Sequence, residues 1–182
     1  MNKLKSERLS ILLPCLPYTK PLGETTFMEN YEALFQRLQS KSRGLGISLN
    51  PPALREELQE LENSLMQKLP MEVASFYRFC NGFETDDFLF RILPVHEVLK
   101  YKDELGATSF YFAEYMIYSD TWTISIHGPE QYVIINSDHQ QEEPIYLTNS
   151  IFDFVERYIG GGGVFGNSGL YKWLKQKKVS KN

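Results

Sequence analysis

Four short runs of β-branched and aromatic residues follow one another late in the chain: EYMIYS, WTISI, YVIIN and PIYL, between Glu114 and Leu147. The gaps between them are two, five and seven residues. A parallel strand pair needs a crossover of about a dozen residues or more, whereas an antiparallel pair closes through a turn. The spacing therefore predicts antiparallel hairpins, with turns or loops at Asp120-Thr121, at Gly128-Pro129 and across residues 137–143. Alternation along the first run puts Tyr115 and Ile117 on one face and Met116 and Tyr118 on the other.

Helical spacing dominates the first half. Residues 1–24 carry Pro14, Pro17, Pro21 and Gly23 and read as an extended arm. Thr26, with Glu29 three residues on, makes a capping box for a helix carrying Phe27, Tyr31, Leu34, Phe35 and Leu38. SKSRGLG ends it. Asn50-Pro51-Pro52 starts a second helix, because proline fits a first helical turn, and Leu54, Leu58, Leu61 and Leu65 form its core stripe. In LPMEVASFYRFCNGFE, Pro70 opens a third helix with Val73, Phe76, Tyr77 and Cys80 on one stripe. Asn81-Gly82 stops that helix, glycine supplying the left-handed conformation, and Phe83 is placed to fold back on the last turn. FLFRIL, from Phe88 to Leu93, reads as a strand, and PVHEVLKYKDEL as a short helix. After the hairpins, Ser150 and Asp153 cap a helix that Gly160–Gly163 end, and GLYKWLKQKKVSK reads as a last basic helix or tail. The order of helices, then strands, then helix predicts an α+β fold: a central, largely antiparallel sheet flanked by helices.

Charge narrows the partners. The net charge is −4, yet five of the last eleven residues are lysines. Without those eleven, 14 basic residues face 23 acidic ones, a net charge of −9. Such a body disfavours nucleic acid, whose phosphates need a basic face, and suits a basic protein. No apolar run approaches the ~18 residues that span a bilayer, so no membrane is expected. The N-terminal stretch with Lys3, Lys5 and Arg8 imitates a signal peptide only faintly. Pro14 breaks its apolar patch and no small-residue cleavage site follows. With two cysteines, Cys15 and Cys80, there is neither a disulfide framework nor a zinc cluster, and a reducing cytoplasm is the default.

Motifs for chemistry are weak. His96, His127 and His139 have no metal-binding spacing. GGGGVFGNSG lacks the ending of a phosphate loop and follows a helix, so it reads as a flexible connector. Cys80 lies on an apolar stripe, where a cysteine is a small buried hydrophobe. No catalytic, cofactor or metal residue is expected. Glu84, Asp86 and Asp87 form an acidic loop suited to docking lysine or arginine, and Tyr118, Asp120 and Trp122 lie in a segment crowded with aromatic residues.

The order of these motifs resembles the SUKH superfamily, in the branch of the fungal cell-wall assembly regulator. The resemblance starts with LREELQELENSLMQ, then the Leu69-Pro70 start, the helix around Phe76 and the Asn81-Gly82 stop. It continues through Leu93-Pro94, WTISIHGPEQYVIIN and EPIYLTNSIFDFVERYI, covering about residues 50–160. An N-terminal arm and helix (1–49) and a glycine-rich connector with a basic end (161–182) are additions. The resemblance implies a non-enzymatic protein-binding domain. Bacterial relatives are immunity proteins of polymorphic toxin systems; fungal relatives are interaction hubs.

The expected function is therefore occlusion of a cognate bacterial toxin domain with a basic surface, by a cytoplasmic monomer or weak homodimer. The expected docking residues are Glu84, Asp86, Asp87, Tyr118, Asp120 and Trp122. The alternatives are a regulatory or scaffold adaptor with several protein partners, and a thiol or acid/base hydrolase. The hydrolase would require Cys80 or an acidic pair to line a pocket beside a histidine.

Overall fold

A computed structural model describes residues 22–138 and 144–179. Among them, seven strands form one antiparallel sheet in chain order: β1 (Ile47–Leu49), β2 (Phe83–Thr85), β3 (Phe90–Ile92), β4 (Ser109–Tyr115), β5 (Asp120–Gly128), β6 (Gln131–Asp138) and β7 (Ile145–Thr148). Six α-helices accompany it: α1 (Leu22–Ser42), α2 (Arg55–Leu65), α3 (Met71–Phe79), α4 (Val95–Lys100), α5 (Ile151–Gly161) and α6 (Leu170–Val179). The fold is α+β. The arm up to Pro21 with Cys15, the loop 139–143 with His139, and Lys181 lie outside the described residues.

The core lies on one face of the sheet. Phe76 of α3 meets Phe112 of β4, with ring centroids 6.1 Å apart, and Phe112 meets Phe154 of α5 at 5.4 Å. An irregularity between Tyr111 and Ala113 turns both Phe112 and Ala113 inward, where each is fully buried. From α1, Leu34 and Leu38 join the same cluster, as do Leu170, Trp173 and Leu174 from α6. The other face is polar near β3: Arg91 bonds Glu114 of β4 and Glu97 of α4.

Several sequence expectations change here. α1 begins at Leu22, four residues before Thr26. The Asn50–Ala53 segment does not open α2. It runs extended beside the end of α3, with the Ala53 amide donating to Tyr77 O (2.9 Å) and the Asn81 amide to Pro51 O (3.0 Å). Leu54 consequently precedes α2 and is 64% exposed, while Leu58, Leu61 and Leu65 are buried as the stripe requires. The Leu54 amide is capped by Glu57 at 2.7 Å. Leu69, Pro70 and Phe76 are buried.

Phe83 is part of the sheet and joins the same buried cluster as Phe76, Tyr77 and Cys80. It starts β2, with its ring against Phe90 (6.0 Å) and Tyr158 (5.6 Å). β3 is shorter than FLFRIL, since Phe88 sits in a turn at a φ of 57°. Asp120 and Thr121 are not a turn either. They open β5, opposite Tyr115 and Glu114, and the turn is made by Met116, Ile117 and Tyr118, all at positive φ. Expected alternation of Met116 to Tyr118 along a strand therefore has no strand to act in.

The glycine-rich stretch is a wound turn, not a flexible connector. Gly162 caps α5 in the left-handed region, the Gly163 amide returns to Tyr158 O (2.8 Å), and the Leu170 amide reaches Gly163 O (3.2 Å). A Cβ on Gly166 would lie 1.9 Å from Gly161 O, so two backbones meet where no side chain fits.

Gly82 has a similar constraint. Its φ is +77°, and a Cβ there would lie 2.2 Å from Ile92 O. Gly82→Ala is expected to destabilise the protein by at least ~2 kcal/mol, combining backbone strain with a clash. Gly160→Ala, in α5 with nothing within 4 Å, is expected to stabilise it by about 0.5–1 kcal/mol. Urea unfolding of both variants checks the pair, and equal effects would refute the account.

Candidate functional site

α3 ends at Phe79 with Cys80 extended after it, so Gly82 is left-handed but does not cap the helix as expected; the Asn81-Gly82 pair instead positions the surface that follows. Asn81 is 9% exposed, its side-chain oxygen accepts from the Val95 amide (2.8 Å), and its carbonyl accepts from Asn50 Nδ2 (2.9 Å). This ties the entries of β2 and α4 together and sends β2 and β3 out as a tight hairpin. At its tip, Thr85 Oγ1 accepts from the Phe90 amide (3.2 Å) and lies 2.6 Å from Asp87 Oδ1. The Leu89 amide donates to the same carboxylate oxygen at 3.0 Å. These two bonds, with the hydroxyl contact the larger influence, hold the Asp87 carboxyl below the usual carboxylate range.

Three turns meet at this end of the sheet: the β2–β3 tip, the β4–β5 turn, and the glycine turn after α5. The Met116 amide donates to Leu89 O (2.7 Å), and the rings of Tyr115 and Phe165 are 5.4 Å apart. Ten large hydrophobic residues are exposed among the described residues, and five of them are here: Phe88, Leu89, Met116, Ile117 and Phe165. Ile117 is 85% exposed, at a φ of 51° that β-branched residues rarely adopt. Backbone strain and apolar exposure thus coincide at one place, which makes this rim the candidate site. Asp86 and Asp87 stand on it.

The six expected docking residues separate. Asp86 and Asp87 are exposed on this rim. Tyr118 lies in the β4–β5 turn but folds back over the polar face, its ring 5.2 Å from Tyr101 and 5.9 Å from Tyr111. Glu84 is exposed on that polar face too, paired with Arg91 across the sheet. Asp120 and Trp122 are a correction, for neither is on the surface. Asp120 is 7% exposed and accepts from Asn136 Nδ2 (2.7 Å), and Trp122 is 1% exposed between Phe90 and Phe154. Paired across the sheet, Trp122 faces Ala113 and Asn136, on the core side.

The five apolar rim residues escaped the sequence reading. Phe88 and Met116–Ile117 read as strand because they are apolar, and Phe165 lay in what read as a connector. The available signal was the apolar residue standing directly beside turn-forming ones: Asp86-Asp87 before Phe88, and Gly166-Asn167 after Phe165.

No group of three or more His, Cys, Asp or Glu residues able to hold a metal occurs among the described residues. No described helix is long and apolar enough to cross a membrane. Cys80 is 1% exposed, and burial pushes its thiol up to about 12, where no nucleophilic thiolate forms at neutral pH.

An α+β domain with an apolar, acidic rim belongs among protein-binding modules more readily than among pocket enzymes. The chain belongs to the SMI1 / KNR4 family (SUKH-1), whose sequence profile matches residues 52–166. No curated protein matches it. Membership supports a protein-interaction or immunity-type role in general, in a family that is generally non-enzymatic. The matched span runs from the extended brace before α2 to the glycine turn, and so includes all three turns of the rim.

Two measurements follow. In a Cys15→Ser background, Cys80 is expected to resist a thiol reagent until urea unfolds the chain; fast native labelling would reopen a thiol role. Thr85→Val is expected to raise the Asp87 pKa, read by carboxyl NMR. A depressed native pKa stabilises above the unfolded value, ~3.9. The stability gap between wild type and Thr85→Val should therefore narrow as pH falls through the native Asp87 titration.

Proposed function

We propose that the protein is a cytoplasmic immunity protein that binds a cognate bacterial toxin domain and occludes it. The observation that carries this reading is the rim itself: five exposed apolar side chains on three adjoining turns, beside two carboxylates. Interfaces combine an apolar centre with charged surroundings that set specificity and speed association. A toxin acting on nucleic acid needs a basic cleft, and the −9 charge of residues 1–171 is complementary to it. In this reading residues 50–160 are the domain proper, 1–49 an added arm and helix, and 161–182 an added turn and basic helix. The protein acts as a monomer or weak homodimer.

The family also contains adaptor-type roles, and one experiment separates the two. The full chain is co-expressed with the toxin domain encoded beside its gene, and growth and complex formation are measured. Wild type is expected to restore growth. Ile117→Asp, and separately the double change Asp86→Lys with Asp87→Lys, are expected to lose rescue and weaken binding by tenfold or more, while circular dichroism stays unchanged. Failure of wild type to bind or rescue would sink the immunity reading. Capture of several unrelated proteins by the same rim would replace it with the adaptor.

A further inference from the structure

Between the acidic tip and the glycine turn lies a cleft of about 370 Å³. Asp86 and Asp87 of the tip, Gly163 and Phe165 of the glycine turn, and Tyr115 and Tyr158 all line it. Its lining contains two carboxylates and no lysine, arginine or histidine. None of the ion pairs among the described residues uses Asp86 or Asp87.

The two tyrosines supply an independent observation. Tyr158 is 3% exposed and Tyr115 8% exposed, and both line the cleft without a side-chain hydrogen bond to the described residues. Neither is among the fully buried polar atoms left without a partner, so each hydroxyl keeps contact with the cleft and is open to a ligand there. Both hydroxyls feel the charge of Asp87, which together with burial holds them protonated. Tyr158 is also braced from behind by its stacked neighbour Phe90, with centroids 4.5 Å apart.

These groups define what fits. Carboxylates accept hydrogen bonds, hydroxyls can accept one more, and aromatic rings favour a cation or an alkyl chain. Anions are repelled. A divalent ion needs six or more oxygen ligands, or several waters in place of them, and the cleft offers only two carboxylates. A donor-rich cation on an aliphatic stem meets every wall. Leu89 and Phe165 belong both to the cleft and to the apolar rim, so its mouth opens onto the proposed protein-docking surface.

Resting on the immunity reading for the existence of a protein partner, we propose that this cleft receives a lysine or arginine side chain of that partner. The cationic head lies between Asp86, Asp87 and the hydroxyls of Tyr115 and Tyr158, and the stem lies along Phe165. The rim supplies apolar area, and the cleft supplies the anchor that selects the partner's residue.

The test uses the full chain and short peptides, followed by amide NMR. Acetyl-Leu-Lys-Leu-amide and acetyl-Leu-Arg-Leu-amide are expected to shift the signals of Thr85–Phe90 and of Gly162–Phe165. The norleucine and glutamate versions are expected to bind about tenfold more weakly or worse, the factor for losing a charge-assisted hydrogen bond. Asp86→Asn and Tyr158→Phe should each reduce lysine-peptide affinity without moving the thermal midpoint downward. Equal binding of the norleucine peptide, or shifts confined to other surfaces, would overturn the proposal. So would spermidine binding as tightly as the peptides, since that assigns the cleft to free amines. Loss of lysine selectivity with rim-dependent toxin capture intact would remove the anchor and leave the immunity reading. Lysine selectivity without toxin capture would do the reverse.

Discussion

One buried asparagine side chain joins the parts that everything else hangs from. Asn81 Oδ1 holds the amide that opens α4, its carbonyl is held by Asn50, and its own amide is bound to Pro51 O. Three segments distant in sequence thus meet at one residue, in a place with little water to substitute for a lost bond. Gly82 follows immediately and lies so close to Ile92 O that the β2–β3 hairpin can take only one path. The direction of that hairpin decides where Asp86 and Asp87 stand. A structural junction in the core is therefore also the device that aims the acidic tip.

The tip gains meaning only from its neighbours. The β4–β5 turn would be an unusual choice for a structural loop: three consecutive non-glycine residues at positive φ, two of them large exposed hydrophobics. The glycine turn after α5 reaches the same place because its backbones pack without side chains, letting Phe165 stand outward while Val164 is buried. The rim and the cleft are thus held by three different solutions to the problem of reversing a chain. Each returns at once to a strand or helix of the core, so the side chains on top are positioned by rigid elements.

The architecture was legible because its signals are local. Short gaps announced the meander, Pro70 marked the start of α3, and Ser150 capped α5 through the amide of Asp153 as its spacing predicts. What was not legible depended on contacts between distant residues. Nothing near Pro51 shows that the segment will be stitched to α3, so Leu54 read as core. The irregularity in β4 and the left-handed turn after it displaced the expected hairpin by several residues. That displacement carried Asp120 and Trp122 from a supposed turn region into β5, and into the interior. Of the site, the two aspartates were visible as charge in a loop. The apolar rim was not, since hydrophobicity in a single sequence reads first as burial.

Strand order carries a kinetic meaning. Each of the seven strands pairs only with its neighbours in chain order, and β4, β5 and β6 are joined without an intervening helix. Such a sheet can be laid down progressively, each hairpin forming as its second strand emerges, without waiting for a distant segment to return. The last described element, α6, then closes over β7 and the aromatic cluster. The time between translation and a completed sheet is therefore set largely by local steps, and the slow search that long-range strand pairing imposes is largely avoided.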